Sequence, residues 1–215
     1  FGYRAIGYFQ PEDFDDKGAL KQGIPAQPWG AVAPGDLRYE DANGDGKIDV
    51  NDEVAIGDAN QSPRIIYGFA PRAQYKNWSL DLLFQGSAKT HLYHRSEMAW
   101  AFYNGQNAYK ENLDYWTPEN RNAAHPRLTA APNTNNTQLS SHWMRNAAYL
   151  RVKNVTLSYR IPDSIAGKAG MHNVRVYASG QNMLTWSKLL NWDPESTHRS
   201  YPQQKVISVG INLSL

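Results

Sequence analysis

The sequence contains no cysteine, so disulfide bonds take no part in its stability. It also lacks any run of 18 or more apolar residues, which excludes a membrane-spanning helix, and it shows no signal peptide. Residues 1–9 have the composition of an internal segment, so we expect further chain before them. An excess of one charge is missing too: the net charge is +2, and we expect no nucleic-acid partner.

Aromatic residues, in contrast, are plentiful, with 7 Trp, 13 Tyr and 6 Phe, although the mean hydropathy is only −0.65. A chain that is polar on average yet rich in Trp and Tyr fits a transmembrane β-barrel, where only every second strand residue touches lipid. It fits equally a soluble, loop-rich β-protein such as a carbohydrate-binding module. The length of 215 residues allows one domain with a sizeable core.

The stretch from Asp41 to Asp52 has the spacing of a calcium-binding loop. Gly46 fits the sharp turn at loop position 6, and Ile48 is expected to anchor the loop in a core. Position 12 is Asp instead of the bidentate Glu of an EF-hand. We predict a structural Ca²⁺ ion, with a solvated Asx-rich turn as the alternative. The predicted ligands, at positions 1, 3, 5, 7 (by its carbonyl), 9 and 12, are Asp41, Asn43, Asp45, Lys47, Asp49 and Asp52.

Several segments alternate apolar and polar residues at every second position, which is typical of β-strands. These segments are 63–75, 78–88, 148–161, 173–185 and 205–215. Residues 1–9 are a further candidate strand. Only Lys76 and Asn77 separate the first two long segments, which predicts a hairpin. The alternation slips near Lys153, and this predicts a β-bulge.

The alternation gives each segment one apolar face, which includes Phe69, Leu82, Leu157 and Ile211. Five charged residues share the opposite, polar parity: Arg64, Arg72, Asp81, Arg160 and Arg175. A charge facing lipid near the bilayer centre costs roughly 2–4 kcal/mol. The pattern therefore favours strands with one face in lipid, and a soluble sandwich with one wet face is the alternative.

The connections between the segments alternate in length. Short ones lie at 76–77 and 162–172, and long ones at 10–62, 89–146 and 186–204. Outer-membrane barrels have short periplasmic turns and longer extracellular loops. We therefore expect the three long connections to be extracellular and the end of the chain to be periplasmic.

Four stretches in this order resemble the C-terminal barrel portion of SusC/RagA-like TonB-dependent outer-membrane transporters of Bacteroidetes. They are residues 34–49 (PGDLRYEDANGDGKID), 115–120 (YWTPEN) followed by 126–128 (PRL), 148–162 (AYLRVKNVTLSYRIP) and 208–215 (SVGINLSL). One departure is Leu215, because the terminal strand of such barrels usually ends on an aromatic residue.

The resemblance implies an all-β fold in which residues 1–215 supply about six antiparallel strands, with long extracellular loops, of a barrel of roughly 22 strands. Such transporters import glycans, oligosaccharides or peptides together with a SusD-like lipoprotein. TonB drives import through an N-terminal part and a plug, and neither is contained in this chain. An open sheet edge in lipid leaves backbone groups unsatisfied, so the chain needs outer-membrane lipid and the remaining barrel and plug.

We expect no enzyme, because no Ser/His/Asp set or paired carboxylates stand in a recognisable motif. His91 and His94 have only a weak zinc-like spacing. The aromatic residues of 89–146 are expected to pack on one another more than to stack on sugars; they are Trp100, Tyr103, Tyr109, Tyr115, Trp116 and Trp143. The alternative function is a soluble calcium-dependent β-module that binds carbohydrate or protein.

Overall fold

The computed structural model describes residues 1–58, 62–189, 192–196, 201 and 203–214. The chain forms two compact units that alternate along the sequence. Residues 1–57 and 93–145 form one, named here the loop unit, and residues 58–92 and 146–215 form the other, named the sheet unit. Among the described residues, no helix is long and apolar enough to cross a membrane.

The sheet unit is one antiparallel sheet built from the five long alternating segments. Its strands are β3 (Ile65–Phe69), β4 (Arg72–Tyr75), β5 (Trp78–Ala88), β8 (Tyr149–Arg160), β9 (His172–Ser187) and β10 (Val206–Ser214). The strand order is β10-β9-β8-β5-β3, and β4 also pairs with β5. Nearly every connection is therefore a simple up-and-down one, and Leu215 of the terminal motif lies outside the described residues.

The first hairpin forms at the two predicted turn residues. Tyr75 pairs with Trp78 across Lys76 and Asn77, and Lys76 has a φ of 53°. The segment 63–75 is not one continuous strand, however, because β3 and β4 are separated at Pro71. Proline has no N–H to donate to the ladder, and here its carbonyl accepts the N–H of Leu82 at 3.0 Å.

The predicted bulge is present in β8 at Lys153. Against β5, Val152 pairs with Phe84 and Asn154 pairs with Leu83, so Lys153 is an extra residue. The pairing with β9 is irregular at the same place. The slip of parity in the sequence therefore corresponds to one inserted residue and not to a change of face.

The register aligns the apolar residues of neighbouring strands in rows. One row holds Leu80, Leu157, Ala178 and Val209, and the next holds Leu82, Val155, Gly180 and Ile207. Several side chains of these rows are exposed: Leu157 is 45% exposed, Ile207 72% and Val209 81%. An apolar face of this extent marks contact with a partner or a membrane. The prediction of an uncovered apolar face is confirmed, and burial inside a self-contained sandwich is not found among these residues.

The opposite face of the same sheet is polar. Arg72 pairs with Asp81, whose cross-strand neighbour is Thr156, and Arg160 lies opposite Arg175. The predicted shared face of these charges is therefore correct. The short connection after β8 contains α1 (Asp163–Ala166) and a single 3₁₀ turn at Gly167–Ala169, which replace the predicted simple turn.

The loop unit contains little regular structure. Its two-stranded sheet joins β1 (Ala5–Tyr8) to β2 (Leu37–Tyr39). The prediction that residues 1–9 supply a strand of the large sheet is thus wrong: β1 pairs with β2 instead, because Phe9 and Leu37 are fully buried in the loop unit. Six short 3₁₀ helices lie in this unit: Pro11–Asp13, Val50–Asp52, Ser96–Met98, Tyr103–Gly105, Lys110–Leu113 and Ser141–Trp143. The chain also contains a short antiparallel strand pair, β6 (His91–Tyr93) and β7 (Met144–Asn146).

Aromatic side chains build the core of the loop unit. Its fully or nearly fully buried members are Tyr3, Leu37, Tyr39, Ile48, Ala99 and Trp143. Trp29 packs edge-on against Tyr3, with ring centroids 4.7 Å apart, and against Tyr39 at 5.6 Å. Such edge-to-face pairs add to the free energy gained by burial. The predicted extracellular segments thus form a packed unit of their own.

Candidate functional site

The calcium-type loop folds around its own backbone. The Asp41 carboxylate accepts the N–H groups of Gly44 (2.7 Å) and Gly46 (2.8 Å). Asp52, which is 1% exposed, accepts from Ala42 at 2.8 Å and from Asp49 at 2.7 Å. Gly44 and Gly46 have φ values of 75° and 86°, the left-handed conformation that glycine adopts most easily.

The remaining predicted ligands make similar short-range bonds. Asn43 Oδ1 accepts from Asp45 N at 2.9 Å, and Asp45 Oδ1 accepts from Lys47 N at 3.1 Å. Asp49 Oδ1 accepts from the Asn51 N–H at 2.8 Å. In the part of the chain that the structure describes, no three acidic or histidine side chains converge as a metal cluster. The calcium site therefore stays a prediction.

Ile48 holds this loop to the core, as predicted. It is 2% exposed and belongs to the aromatic cluster of the loop unit. Its N–H donates to the carbonyl of Ala26 at 3.1 Å. The loop is consequently fixed at its middle by an apolar side chain and at its end by the buried Asp52.

A buried polar network surrounds β2 and was not found from the sequence. The Asp36 carboxylate is fully buried and receives both Nε (2.8 Å) and Nη2 (3.1 Å) of Arg127. Asn136 donates to the same carboxylate at 2.9 Å and accepts the Leu37 N–H at 2.8 Å. Because these groups satisfy one another, the network fixes the long segment 93–145 against β2.

Two of the four stretches that carry the family resemblance meet at this network, the second of them through both of its parts. Asp36 belongs to the first, Trp116 to the second, and Arg127 to the short stretch that follows it. Gly35 has a φ of 89°, and a Cβ placed there would lie 2.4 Å from a ring carbon of Trp116. Only glycine allows this approach, so close packing explains why Gly35 and Trp116 occur in these stretches.

The loop aromatics pack on one another, in agreement with the favoured prediction. Trp143 is 2% exposed and Trp116 is 5% exposed. Trp100 packs edge-on against Tyr103 at 5.3 Å and against Trp143 at 6.4 Å. Tyr109 differs, because half of it remains exposed.

The histidine pair has separate surroundings. His91 Nδ1 accepts the backbone N–H of Asp58 at 3.1 Å. His94 is buried. No metal cluster involving either residue is found among the described residues.

A second ionic network lies on the polar face of the sheet unit. Arg151, 1% exposed, donates to both carboxylate oxygens of Asp193 at 2.8 and 2.9 Å and also contacts Glu195. Glu195 accepts from the hydroxyl of Tyr149 at 2.7 Å and lies 3.3 Å from Lys153. These bonds attach the described part of the long connection 186–204 to β8.

No family model matches this chain. Among curated proteins it is similar to TonB-dependent receptor P3 of Formosa agariphila, with 28% identity over 99% of the chain and 22% of the relative. TonB-dependent receptor P26 of the same organism is 31% identical, over 84% of the chain and 20% of the relative. TonB-dependent receptor SusC of Bacteroides thetaiotaomicron is 23% identical, over 81% of the chain and 17% of the relative.

Solved structures give the same result. The RagAB peptide importer in its open-open state matches with a TM-score of 0.63 and 27% identity, over 99% of this chain and 22% of that one. The closed-closed state of RagAB matches with a TM-score of 0.66 and 23% identity, with the same coverage. The chain thus spans about a fifth of the length of the proteins it matches.

These findings define a class first: the chain is an antiparallel segment with the fold of an outer-membrane β-barrel protein, as predicted. More particularly, it is similar over nearly its whole length to part of the SusC/RagA-like TonB-dependent transporters. This family supports the expected outer-membrane location. Since the relatives are receptors and importers, the prediction that the chain is not an enzyme is confirmed.

Proposed function

We propose that this chain supplies barrel wall and extracellular loops to a TonB-dependent transporter that imports nutrients across the outer membrane. The observation that supports this most is the sheet unit, whose apolar face is exposed while its charges share the other face. Lipid covers such an apolar face without any further protein. The alternative of a soluble calcium-dependent module requires those residues to be buried, and they are not.

The cargo and the partners are part of the same proposal. A peptide importer is among the similar structures, which favours peptides as substrates. The family resemblance adds glycans and oligosaccharides as candidates. A SusD-like lipoprotein is the expected partner outside the cell, and TonB acts through a part of the transporter outside this chain. The long connections lie outside the cell, and the end of the chain lies in the periplasm.

Growth on single nutrients tests the import function. A strain that lacks the transporter gene is compared with the complemented strain on panels of oligosaccharides and peptides as sole carbon or nitrogen source. We expect complementation to restore growth on one class. Equal growth of both strains on every member, with the protein present in the outer membrane, would contradict import.

Calcium is proposed as a structural ion of the loop 41–52. Four carboxylates and one lysine within twelve residues favour a divalent cation. Ca²⁺ coordinated by these oxygens would hold the loop where Ile48 and Asp52 already anchor it. Chelation with EDTA is expected to increase proteolysis within residues 36–58 and to leave the sheet unit intact.

A matched pair of variants separates the ion from the loop's own hydrogen bonds. Asp45→Asn keeps an oxygen acceptor for the Lys47 N–H but lowers the charge, so the loop should become protease-sensitive even with calcium. Asp15→Asn, an aspartate outside the loop, is the control. Proteolysis that does not respond to EDTA in the native protein would show that no ion is bound.

A further inference from the structure

An open cleft of about 880 Å³ lies in the loop unit. β1, residues 121–124 and the segment 141–145 contribute most of its lining, and Gln10 and Leu37 contribute the rest. None of the predicted calcium ligands is among the lining residues. The cleft is therefore separate from the loop 41–52.

Arg145 is the charged residue that stands out in this cleft. Its side chain is half-buried, and Nη1 donates to the backbone carbonyl of His142. Within the described residues no carboxylate lies within the 4.0 Å of an ion pair with it. Burial lowers the pKa of Arg145, which expresses the cost of holding its charge away from water.

The other ionisable groups of the cleft are neutral or already bonded. Arg121 donates to both carboxylate oxygens of Glu12, at 3.0 and 3.1 Å. His142 lines the cleft with a buried Nε2 that has no partner among the described residues. Burial, followed by the nearby Arg145, lowers the pKa of His142 to about 3, so its ring is neutral at neutral pH.

Two acidic residues limit the charge of any ligand. Asp114 accepts hydrogen bonds from the Asn120 side chain at 2.9 Å and from Ala124 N at 3.2 Å, while Glu111 acts on Arg145 through its charge. One cation without an ion-pair partner, near two carboxylates, attracts a monoanion and disfavours an anion of higher charge.

We propose that the cleft binds a ligand through a single carboxylate group, held by the Arg145 guanidinium and by Nε2–H of neutral His142. The planar fork of arginine matches a carboxylate in two parallel hydrogen bonds. The carboxylate belongs either to the end of a peptide or to an acidic sugar. A role in nutrient capture rests on the proposed import function, whereas the binding itself does not.

Arginine footprinting on the full-length transporter in detergent tests this site. Phenylglyoxal modifies arginine side chains, and mass spectrometry reports the rate at Arg145 and at Arg121. The probes are N-acetyl-trialanine and its C-terminal amide, methyl glucuronide and methyl glucoside, and inorganic phosphate. We expect the carboxylate probes to slow modification of Arg145 by about tenfold at saturation, and Arg121 to change little.

Each outcome decides one part of the proposal. Protection by the peptide acid or by the glucuronide supports the site and identifies the source of the carboxylate. Equal protection by the amide or the glucoside, stronger protection by phosphate, no protection, or an Arg145 that is unreactive without ligand would each overturn it.

Calorimetric titration of variants gives a second measure. Arg145→Gln should weaken binding of the protective probe by at least about tenfold, and Arg145→Lys, which keeps the charge but loses the fork, by less. Arg4→Gln, which changes an exposed arginine that is paired with Glu40 and lies outside the cleft lining, is the control and should change binding less than about twofold. Unchanged binding in Arg145→Gln overturns the site. Equal growth of the deletion strain and the complemented strain, together with normal protection of Arg145, would instead count against the proposed import step.

Discussion

The two units of this chain treat their apolar residues in opposite ways. The loop unit buries Tyr39, Trp143 and Ile48 to 2% exposure each, whereas the sheet unit leaves Val209 at 81% and Ile207 at 72%. The first arrangement suits a protein surface in water, and the second suits a surface in hydrocarbon. The comparison teaches that one polypeptide can be built for two solvents. In the strands, odd or even position decides whether a residue lies on the apolar face or on the polar face.

Charges follow the same division. The loop unit buries Asp36 completely and neutralises it with Arg127, while the charges of the sheet unit lie on the face away from the apolar rows. A buried ion pair requires a full set of partners, and an aqueous face does not. The loop unit should therefore be sensitive to the loss of single polar groups, and the apolar face of the sheet unit to their gain. The buried Arg151 of the sheet unit, with its carboxylate partners, resembles the pair in the loop unit in this respect.

The largest effect is expected from Asp36→Ala. The change leaves Arg127 without its carboxylate and removes the acceptor of Asn136, so the loop unit should lose about 3–5 kcal/mol of its free energy of unfolding. Proteolysis of the loop unit at increasing urea concentration measures this. Glu12→Gln, which breaks the exposed pair with Arg121, is the control and should cost less than about 1 kcal/mol. Similar losses in both variants would remove the contrast between the units.

The next effect tests the sheet unit with two adjacent residues. Val209 lies on the apolar face and Ser208 on the polar face, opposite Ser179. Val209→Arg should reduce the stability of the transporter folded into lipid vesicles by about 2–4 kcal/mol, and Ser208→Arg should change it little. The measurement is urea unfolding in vesicles. If arginine is tolerated equally at both positions, lipid does not contact this face.

A smaller effect is expected where the backbone of the loop unit passes closest to a ring. Gly35→Ala forces a Cβ against Trp116 in a residue with a φ of 89°, and we expect a loss of about 2–3 kcal/mol. Gly44→Ala is a matched control: its φ is 75°, but nothing lies within 4 Å of the added Cβ, so only the backbone term of about 1 kcal/mol remains. Thermal unfolding followed by tryptophan fluorescence distinguishes the two variants. Equal losses would mean that Trp116 yields to the new methyl group.

The smallest effect is a pH dependence confined to the loop unit. Burial lowers the pKa of His142 to about 3, against 6.5 for an unperturbed histidine. Between these two values only the unfolded chain binds the proton, so stability is complete above pH 6.5 and falls by up to about 1.4 kcal/mol per pH unit below it. Urea unfolding of the native protein at pH 7, 6 and 5 measures the slope. His142→Gln should reduce the slope of stability against pH. An unchanged slope in that variant would mean that another group causes the pH dependence.

Sequence patterns predicted the sheet unit well. Its strands, the Lys76–Asn77 hairpin, the common face of the charges and the inserted residue at Lys153 all follow from period-two alternation, which is a local property. The break in the strand at Pro71 was not predicted, although a proline has no N–H to donate to the sheet and therefore indicates such a break. The strand at 1–9 was placed in the wrong sheet, because its pairing depends on the burial of Phe9 and Leu37, which is not local.

Much less of the loop unit could be predicted from the sequence. The spacing of residues 41–52 indicated a compact loop, and the burial of Ile48 followed from it. The network of Asp36, Arg127 and Asn136 joins positions about ninety residues or more apart, and no local pattern connects them. The cleft around Arg145 likewise requires three separate segments to meet. The resemblance to known transporters marked several of these residues without giving a reason for them.

The inserted residue at Lys153 has a consequence for chain length. In β8 the apolar residues have even numbers before Lys153 and odd numbers after it. Both halves nevertheless keep their apolar side chains towards the same surface of the sheet. Removing Lys153 would join the halves in uninterrupted alternation, whereas removing a residue elsewhere in the strand would turn one end over. In a scan of single-codon deletions along β8, the tolerated position should therefore be Lys153.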